Sequence, residues 1–153
     1  MDILEIGNGG LTPAEEMTMF TMWTVVKSPL LLGNDLSNMS AFTLSVIGNE
    51  RLIAINQDAL GVAAKQVVNT EGMQVWAGPL ANGDTVAVLL NLGSSAAPIT
   101  VNFATIGLAA DATVAATNLW SNAVQQRKGS ITASVDSHGV AAFRLKAGSP
   151  VVF

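Results

Sequence analysis

The chain is predicted to fold as an α/β segment followed by an all-β domain, on three observations. Residues 1–60 alternate short apolar runs with helix signals. From about residue 62 onward the sequence is rich in Val, Ala, Thr, Gly and Ser and alternates with a period of two. Half of the 153 residues are hydrophobic and only 12% are charged, against about a quarter in ordinary soluble chains. So little charge fits strands buried on both faces together with a sandwich core.

Ile3, Leu4 and Ile6 form a short apolar run bounded by Gly7-Asn8-Gly9-Gly10, as in a strand-to-helix connection. Thr12-Pro13-Ala14-Glu15 reads as a helix start. Thr12 caps, Pro13 suits the first position and Glu15 reaches back to the Thr12 amide. Glu15 and Glu16 also lie at the positive end of the helix dipole. The helix is expected to run to about Lys27, with Met19, Met22, Trp23 and Val26 on one stripe and Met17 and Phe20 widening it. Pro29 ends it, because the residue before a proline disfavours α geometry.

Leu30-Leu31-Leu32, closed by Gly33, reads as a parallel strand covered on both faces. Ser40 opens a second helix with Phe42, Leu44, Val46 and Ile47 as its apolar content and Gly48 after its end. Leu52-Ile53-Ala54-Ile55 is a further short buried segment. This β-α-β-α order is a fragment of an α/β fold, and two strands need partners from elsewhere. In the second half Val86, Val88, Leu90 and Leu92 share one face. Ile99, Val101 and Phe103 do the same against Thr100 and Asn102, and Ile131, Ala133 and Val135 against Ser130, Thr132 and Ser134. Turn signals at Ala81-Asn82-Gly83-Asp84, Gly93-Ser94-Ser95 and His138-Gly139 complete an antiparallel sandwich. The boundary falls between Asp58 and Ala64, giving segments 1–60 and 61–153.

Composition excludes several functions. With no cysteine there is no disulfide or thiolate chemistry. A net charge of −4 with scattered cations argues against nucleic acid. The single histidine, His138, leaves no His-rich metal site. No run approaches the roughly 18 apolar residues of a membrane span, and no basic n-region or apolar h-region of a signal peptide is visible. The glycine cluster at residues 7–10 lacks both P-loop and dinucleotide spacing.

Residues 2–16, from Asp2-Ile3-Leu4-Glu5-Ile6 through Gly7-Asn8-Gly9-Gly10 to Glu15-Glu16, closely resemble the segment near the seventh barrel strand of family 27 glycoside hydrolases. These are the α-galactosidases (melibiases) and α-N-acetylgalactosaminidases. Lys27-Ser28-Pro29-Leu30-Leu31-Leu32-Gly33-Asn34-Asp35-Leu36 is similar to the stretch leading into and past the eighth strand. Ile53-Ala54-Ile55-Asn56-Gln57-Asp58 resembles the family's hinge, although Ala59 stands where the family generally has proline. Val75-Trp76 with Gly78-Pro79-Leu80, Asn118-Leu119-Trp120 and Ser137-His138-Gly139-Val140 resemble strands of its C-terminal sandwich. Before Leu4 the family usually has Trp-Asn-Asp-Pro-Asp-Met, where this chain has Met1-Asp2-Ile3.

The resemblance implies the last two βα units of a (β/α)₈ TIM barrel over residues 1–60, then an antiparallel β-sandwich over 61–153. It implies a retaining hydrolase of terminal α-linked galactose that uses neither cofactor nor metal. Its nucleophile and acid/base aspartates would follow the fourth and sixth strands, upstream of residue 1. None of the eleven carboxylates matches either motif, so no residue is assigned as catalytic and the chain alone is expected to be inactive. Asp2, near the ligand-facing end of the barrel, is expected to order the loop behind the substrate-contacting residues. Asp58 is expected to hydrogen-bond backbone at the junction, and Asn34 and Asp35 to cap the following turn. Trp23, Trp76 and Trp120 read as core residues and His138 as a turn residue. The expected partner is an α-galactoside in the intact enzyme, with no nucleic acid and no membrane, and self-association through exposed barrel strands stays open. The alternative is a non-catalytic β-sandwich that binds carbohydrate or a partner, which an exposed platform of Trp76 and Trp120 would favour. Members of the family are often secreted, periplasmic or lysosomal, and the sequence does not choose a compartment.

Overall fold

The computed structural model describes residues 3–147. Three helices come first, α1 (Pro13–Val25), α2 (Ala41–Ile47) and α3 (Glu50–Asn56). Eight strands follow: β1 (Lys65–Thr70), β2 (Met73–Pro79), β3 (Thr85–Asn91), β4 (Ala97–Asn102), β5 (Thr113–Asn118), β6 (Val124–Lys128), β7 (Ser130–Val135) and β8 (Val140–Ala147). A 3-10 turn at Phe103–Ile106 extends β4.

Local chemistry sets the ends of α1. Thr12 and Glu15 form the expected reciprocal capping box. The helix stops at Val25, two residues short of the expected Lys27. Lys27 takes a left-handed φ of 61°, its amide bonds to Thr24 O, and the Ser28 amide bonds to Trp23 O. This pair of bonds is a Schellman closure, so the backbone terminates the helix before Pro29 can. The buried face is also displaced from the expected stripe. Glu16, Phe20, Thr21, Thr24 and Val25 are the buried residues, while Met19, Met22, Trp23 and Val26 pack at its margin. Thr21 and Thr24 tolerate burial because their hydroxyls donate to Met17 O and Thr21 O.

Two further expectations need correction. Leu30-Leu31-Leu32 is not covered on both faces. Leu32 forms a parallel bridge to Leu4, held by Leu4 N to Leu31 O (2.8 Å) and Gly33 N to Leu4 O (2.9 Å). Leu31 and Leu32 remain 57% and 41% exposed, because among the described residues no layer lies over them. Leu52-Ile53-Ala54-Ile55 lies inside α3, with only Leu52 and Ile55 buried, at helical spacing. Ser40 caps α2 as expected, but Val46 carries its apolar burial and Phe42 and Leu44 are exposed.

All strand pairs in the second half are antiparallel. One sheet has the order β1-β2-β3-β8-β5-β6 and the other is the pair β4-β7. The turn residues sit where the sequence placed them, between β2 and β3, β3 and β4, and β7 and β8. The core between the sheets contains Val75, Ala87, Leu89, Ile99, Val101, Phe103, Ile131, Val135 and Leu145. β3 is buried along its whole length, because its other face also has a cover. Val86 and Val88, with Leu119 and Ala142, pack under the helices against Leu4, Ile6, Phe20, Val25, Val46, Leu52 and Ile55. The molecule therefore has three layers, and the core under the helices is shared by residues from both sides of residue 60. Leu92 lies past the end of β3 and is 51% exposed, unlike its expected partners on that face.

Candidate functional site

Ligands of barrel folds bind at the carboxyl ends of the strands. Here that rim is built from the segments after Ile6 and Leu32. Asn8 Nδ2 donates to Glu5 Oε2 (2.5 Å) and to Gly33 O (3.1 Å), tying the two loops together. Gly7 has φ 86°, and a Cβ there would lie 2.8 Å from Thr43 Cγ2. The left-handed φ at Gly7 is what requires glycine there, whereas a Cβ on Gly33 would meet the movable tip of Ile3 at 2.5 Å. Glu16 is 7% exposed and its Oε1 accepts the Gly7 amide at 3.0 Å. Its position in the first turn of α1 suggests a role at the helix dipole, yet the side chain turns inward and anchors the loop. Glu16 Oε2 and Asn34 Oδ1 are buried and find no partner among the described residues.

The expected site residues meet different fates. Asp2 lies outside the described residues. Asp35 accepts the Ser37 amide (2.9 Å) and hydroxyl (2.7 Å), and these bonds hold its pKa below the usual carboxylate value. It thus caps the turn as expected, whereas Asn34 is not found in that cap. Asp58 accepts from the amides of Leu60 (3.1 Å) and Ala81 (2.9 Å) and so joins the helical segment to the β2–β3 turn. Trp23, Trp76 and Trp120 are half-buried and pack on the core under the helices. The indole N–H of Trp76 donates to Gln74 Oε1 and that of Trp120 to Thr21 Oγ1, so neither offers an exposed stacking platform.

His138 sits in the β7–β8 turn at φ 54°, as its position beside Gly139 suggests. The structure brings it against the start of α1, with Nδ1 3.0 Å from Glu15 Oε1 and the Thr18 hydroxyl donating to His138 O at 2.9 Å. Glu15 is held at a pKa of about 2 by hydrogen bonds from the Thr12 backbone, then the His138 side chain, then the Thr12 hydroxyl. A folded-state pKa depressed from 4.5 contributes stability above that value, and the contribution disappears as pH falls toward 2. Glu15→Gln is therefore expected to lower Tm near neutral pH and to have little effect near the lower limit. Thermal melts of both proteins across that window measure it, and a difference independent of pH would contradict the account.

Sequence reasoning missed the residues that clamp the two segments together. Arg51 donates through Nε to Leu119 O and through Nη2 to Trp120 O, both at 2.9 Å. Asn49 Nδ2 also reaches Leu119 O, at 3.1 Å. The Ala64 amide bonds to Val25 O at 2.8 Å. A lone arginine on a short polar stretch carries no local sign of a partner about 70 residues away. The Asn118-Leu119-Trp120 resemblance marks the segment but not its contact.

The rim is thus a pair of loops on a parallel bridge, clamped to a β-sandwich. Two family models match the chain. "Alpha galactosidase A" matches residues 1–58, and "Alpha galactosidase C-terminal beta sandwich domain" matches residues 70–145. The α-galactosidase of Oryza sativa subsp. japonica is 44% identical over 137 residues, covering 90% of this chain and 33% of that protein. The α-galactosidase of Cyamopsis tetragonoloba is 43% identical, covering 90% and 34%. The chain thus spans about a third of the curated relatives it matches. The crystal structure of α-galactosidase I from Mortierella vinacea superposes with a TM-score of 0.93 at 34% identity, covering 97% of this chain and 40% of that one. A Saccharomyces cerevisiae α-galactosidase solved with raffinose gives 0.85 at 29% identity, covering 96% and 46%. The chain belongs to the family 27 α-galactosidases, or melibiases, and corresponds to their C-terminal part, the end of the barrel and the β-sandwich.

Proposed function

We propose that this chain serves an enzyme that hydrolyses terminal α-linked galactose with retention of configuration, and that it supplies barrel closure rather than the reacting groups. Residues 1–60 close the barrel and residues 61–153 brace it from outside. The observation that carries this reading is the pair of family matches in register along a chain spanning about a third of its relatives. Retaining hydrolysis needs two carboxyl groups about 5–5.5 Å apart, one as nucleophile and one as acid/base. The carboxylates at the rim have other duties. Glu5 holds Asn8, Glu16 holds the Gly7 amide and Asp35 caps its own turn. Asp58 and Asp84 are engaged by backbone and by Arg144. The resemblance to family 27 supports a catalytic pair carried by the portion of the enzyme N-terminal to these residues.

On this reading the purified chain does not cleave a chromogenic α-galactoside. Turnover above a heat-inactivated sample, abolished by galactose as competing product, would overturn it. The side chains of Leu31, Leu32, Leu36, Phe42 and Leu44 are exposed, and the parallel ladder has only two backbone bonds among the described residues. Such a surface favours self-association of the isolated chain. Light scattering during gel filtration measures it, and a monomer at every concentration would argue against it.

A further inference from the structure

Away from the barrel rim, a crevice of about 470 Å³ opens where α3 meets the outer face of the six-stranded sheet. Its volume lies within the range of small-molecule sites. The helix layer covers Val86, Val88 and Ala142 and leaves the end of this face open at Arg144 and Lys146. Those two residues alternate with Leu145 and so share one face of β8. Thr117 is paired with Arg144 across the β5–β8 ladder and forms part of the floor. Arg51 comes from the facing helix, with Glu50 beside it.

Two of the three cations are fixed in place. Arg144 Nε donates to Asp84 Oδ2 at 2.6 Å, and Asp84 is itself 6% exposed and braced by Asn82 Nδ2. Arg51 is fixed by the carbonyls of Leu119 and Trp120. Neither the terminal nitrogens of Arg144 nor the Lys146 ammonium has a partner among the described residues. Asp84 is consumed by Arg144, so Glu50 is the one lining carboxylate left to face Arg51 and Lys146, and the crevice keeps an excess of positive charge. Guanidinium groups pinned in advance lose little freedom when they take a ligand, and their planar forks match tetrahedral oxyanions. The hydroxyl of Thr117 and the amide of Asn122 add neutral partners for hydroxyls on such a ligand.

We propose that this crevice binds a phosphate or sulfate group, free or esterified to a sugar. Arg144 and Lys146 would contact the oxyanion, with Arg51 as the facing positive charge. The reading is independent of barrel closure, because every residue it uses lies in this chain and none lies at the rim. Calorimetric titrations of the purified chain at low salt with inorganic phosphate, a hexose 1-phosphate and the unesterified hexose test it. Both phosphate-bearing probes are expected to bind, more weakly as salt rises, and the neutral hexose is expected not to. Tighter binding of the ester would mark a sugar-linked ligand, and equal binding a free anion. Lys146→Met, at an exposed position, is expected to weaken binding about tenfold by removing one charge-assisted contact. Arg144→Lys keeps a charge beside Asp84, so the fold survives, but it loses the fork and should weaken binding comparably. No saturable heat up to about 20 mM phosphate, an affinity weaker than about −2.3 kcal/mol, would overturn the proposal. So would undiminished binding in both variants.

Discussion

Truncating Phe20 to alanine is expected to destabilise the protein by about 3–5 kcal/mol, the usual cost of removing a buried phenylalanine. Phe20 is 1% exposed and belongs to the core in which Leu4, Ile6, Val25 and Leu52 from the helical segment meet Val86, Val88 and Ala142 from the sheet and Leu119 from the turn after β5. The cavity left behind would lie between the two segments, so the loss should register in both. Trp23 reports on α1, and Trp76 and Trp120 report on the sheet side of the same core. Urea unfolding followed by tryptophan fluorescence and by far-UV circular dichroism should show one transition, moved to lower urea with its slope unchanged. A sheet signal that keeps its original midpoint while the helical signal moves would mean that the segments are stabilised separately.

The second large effect is expected at Asn91, the last residue of β3. It is 1% exposed, and its Nδ2 lies 2.9–3.1 Å from the carbonyls of Ser95, Val135 and Asp136. Its Oδ1 accepts the Gly93 amide at 2.8 Å. One side chain thus closes the β3–β4 connection and pins it to the end of β7. Asn91→Ala leaves buried carbonyls and an amide without partners, each costing about 1–3 kcal/mol. The net loss should be about 3 kcal/mol, because the exposed part of the turn can take up water. Asn91→Asp removes the donors and sets a charge against the same carbonyls, so it should be no milder. Thermal melts measure both variants. A change within about 0.5 kcal/mol, typical of ordinary surface substitutions, would show that the network is dispensable.

These two residues also mark what the sequence disclosed and what it hid. The capping box at Thr12 and Glu15 and the alternation of Ile131, Ala133 and Val135 are local patterns, with partners within a turn or on one strand face. They were legible for that reason. The cover over β3 was not. Alternation assigns one face to the core and says nothing about a second layer, yet Val86 and Ala87 point to different cores and both are buried. The four apolar residues of Leu52-Ile53-Ala54-Ile55 fit either element, and the helical spacing of α3 emerges only from which of them is buried. The misread stripe on α1 has the same origin, since buried threonines look polar until their backbone bonds are seen. Asn91 and Arg51 act on carbonyls, which every residue carries, so no composition or spacing points to them. At the rim, family resemblance located the loops, while the inward turn of Glu16 beneath Gly7 needed coordinates.

The most direct test of barrel closure is a chimera in which this chain replaces the matching third of the Oryza sativa α-galactosidase, assayed beside the isolated chain. If residues 1–60 complete the barrel and both reacting carboxylates lie on the upstream portion, the chimera should hydrolyse a chromogenic α-galactoside and the isolated chain should not. A folded, monodisperse chimera without turnover, or hydrolysis by the isolated chain, would contradict the account.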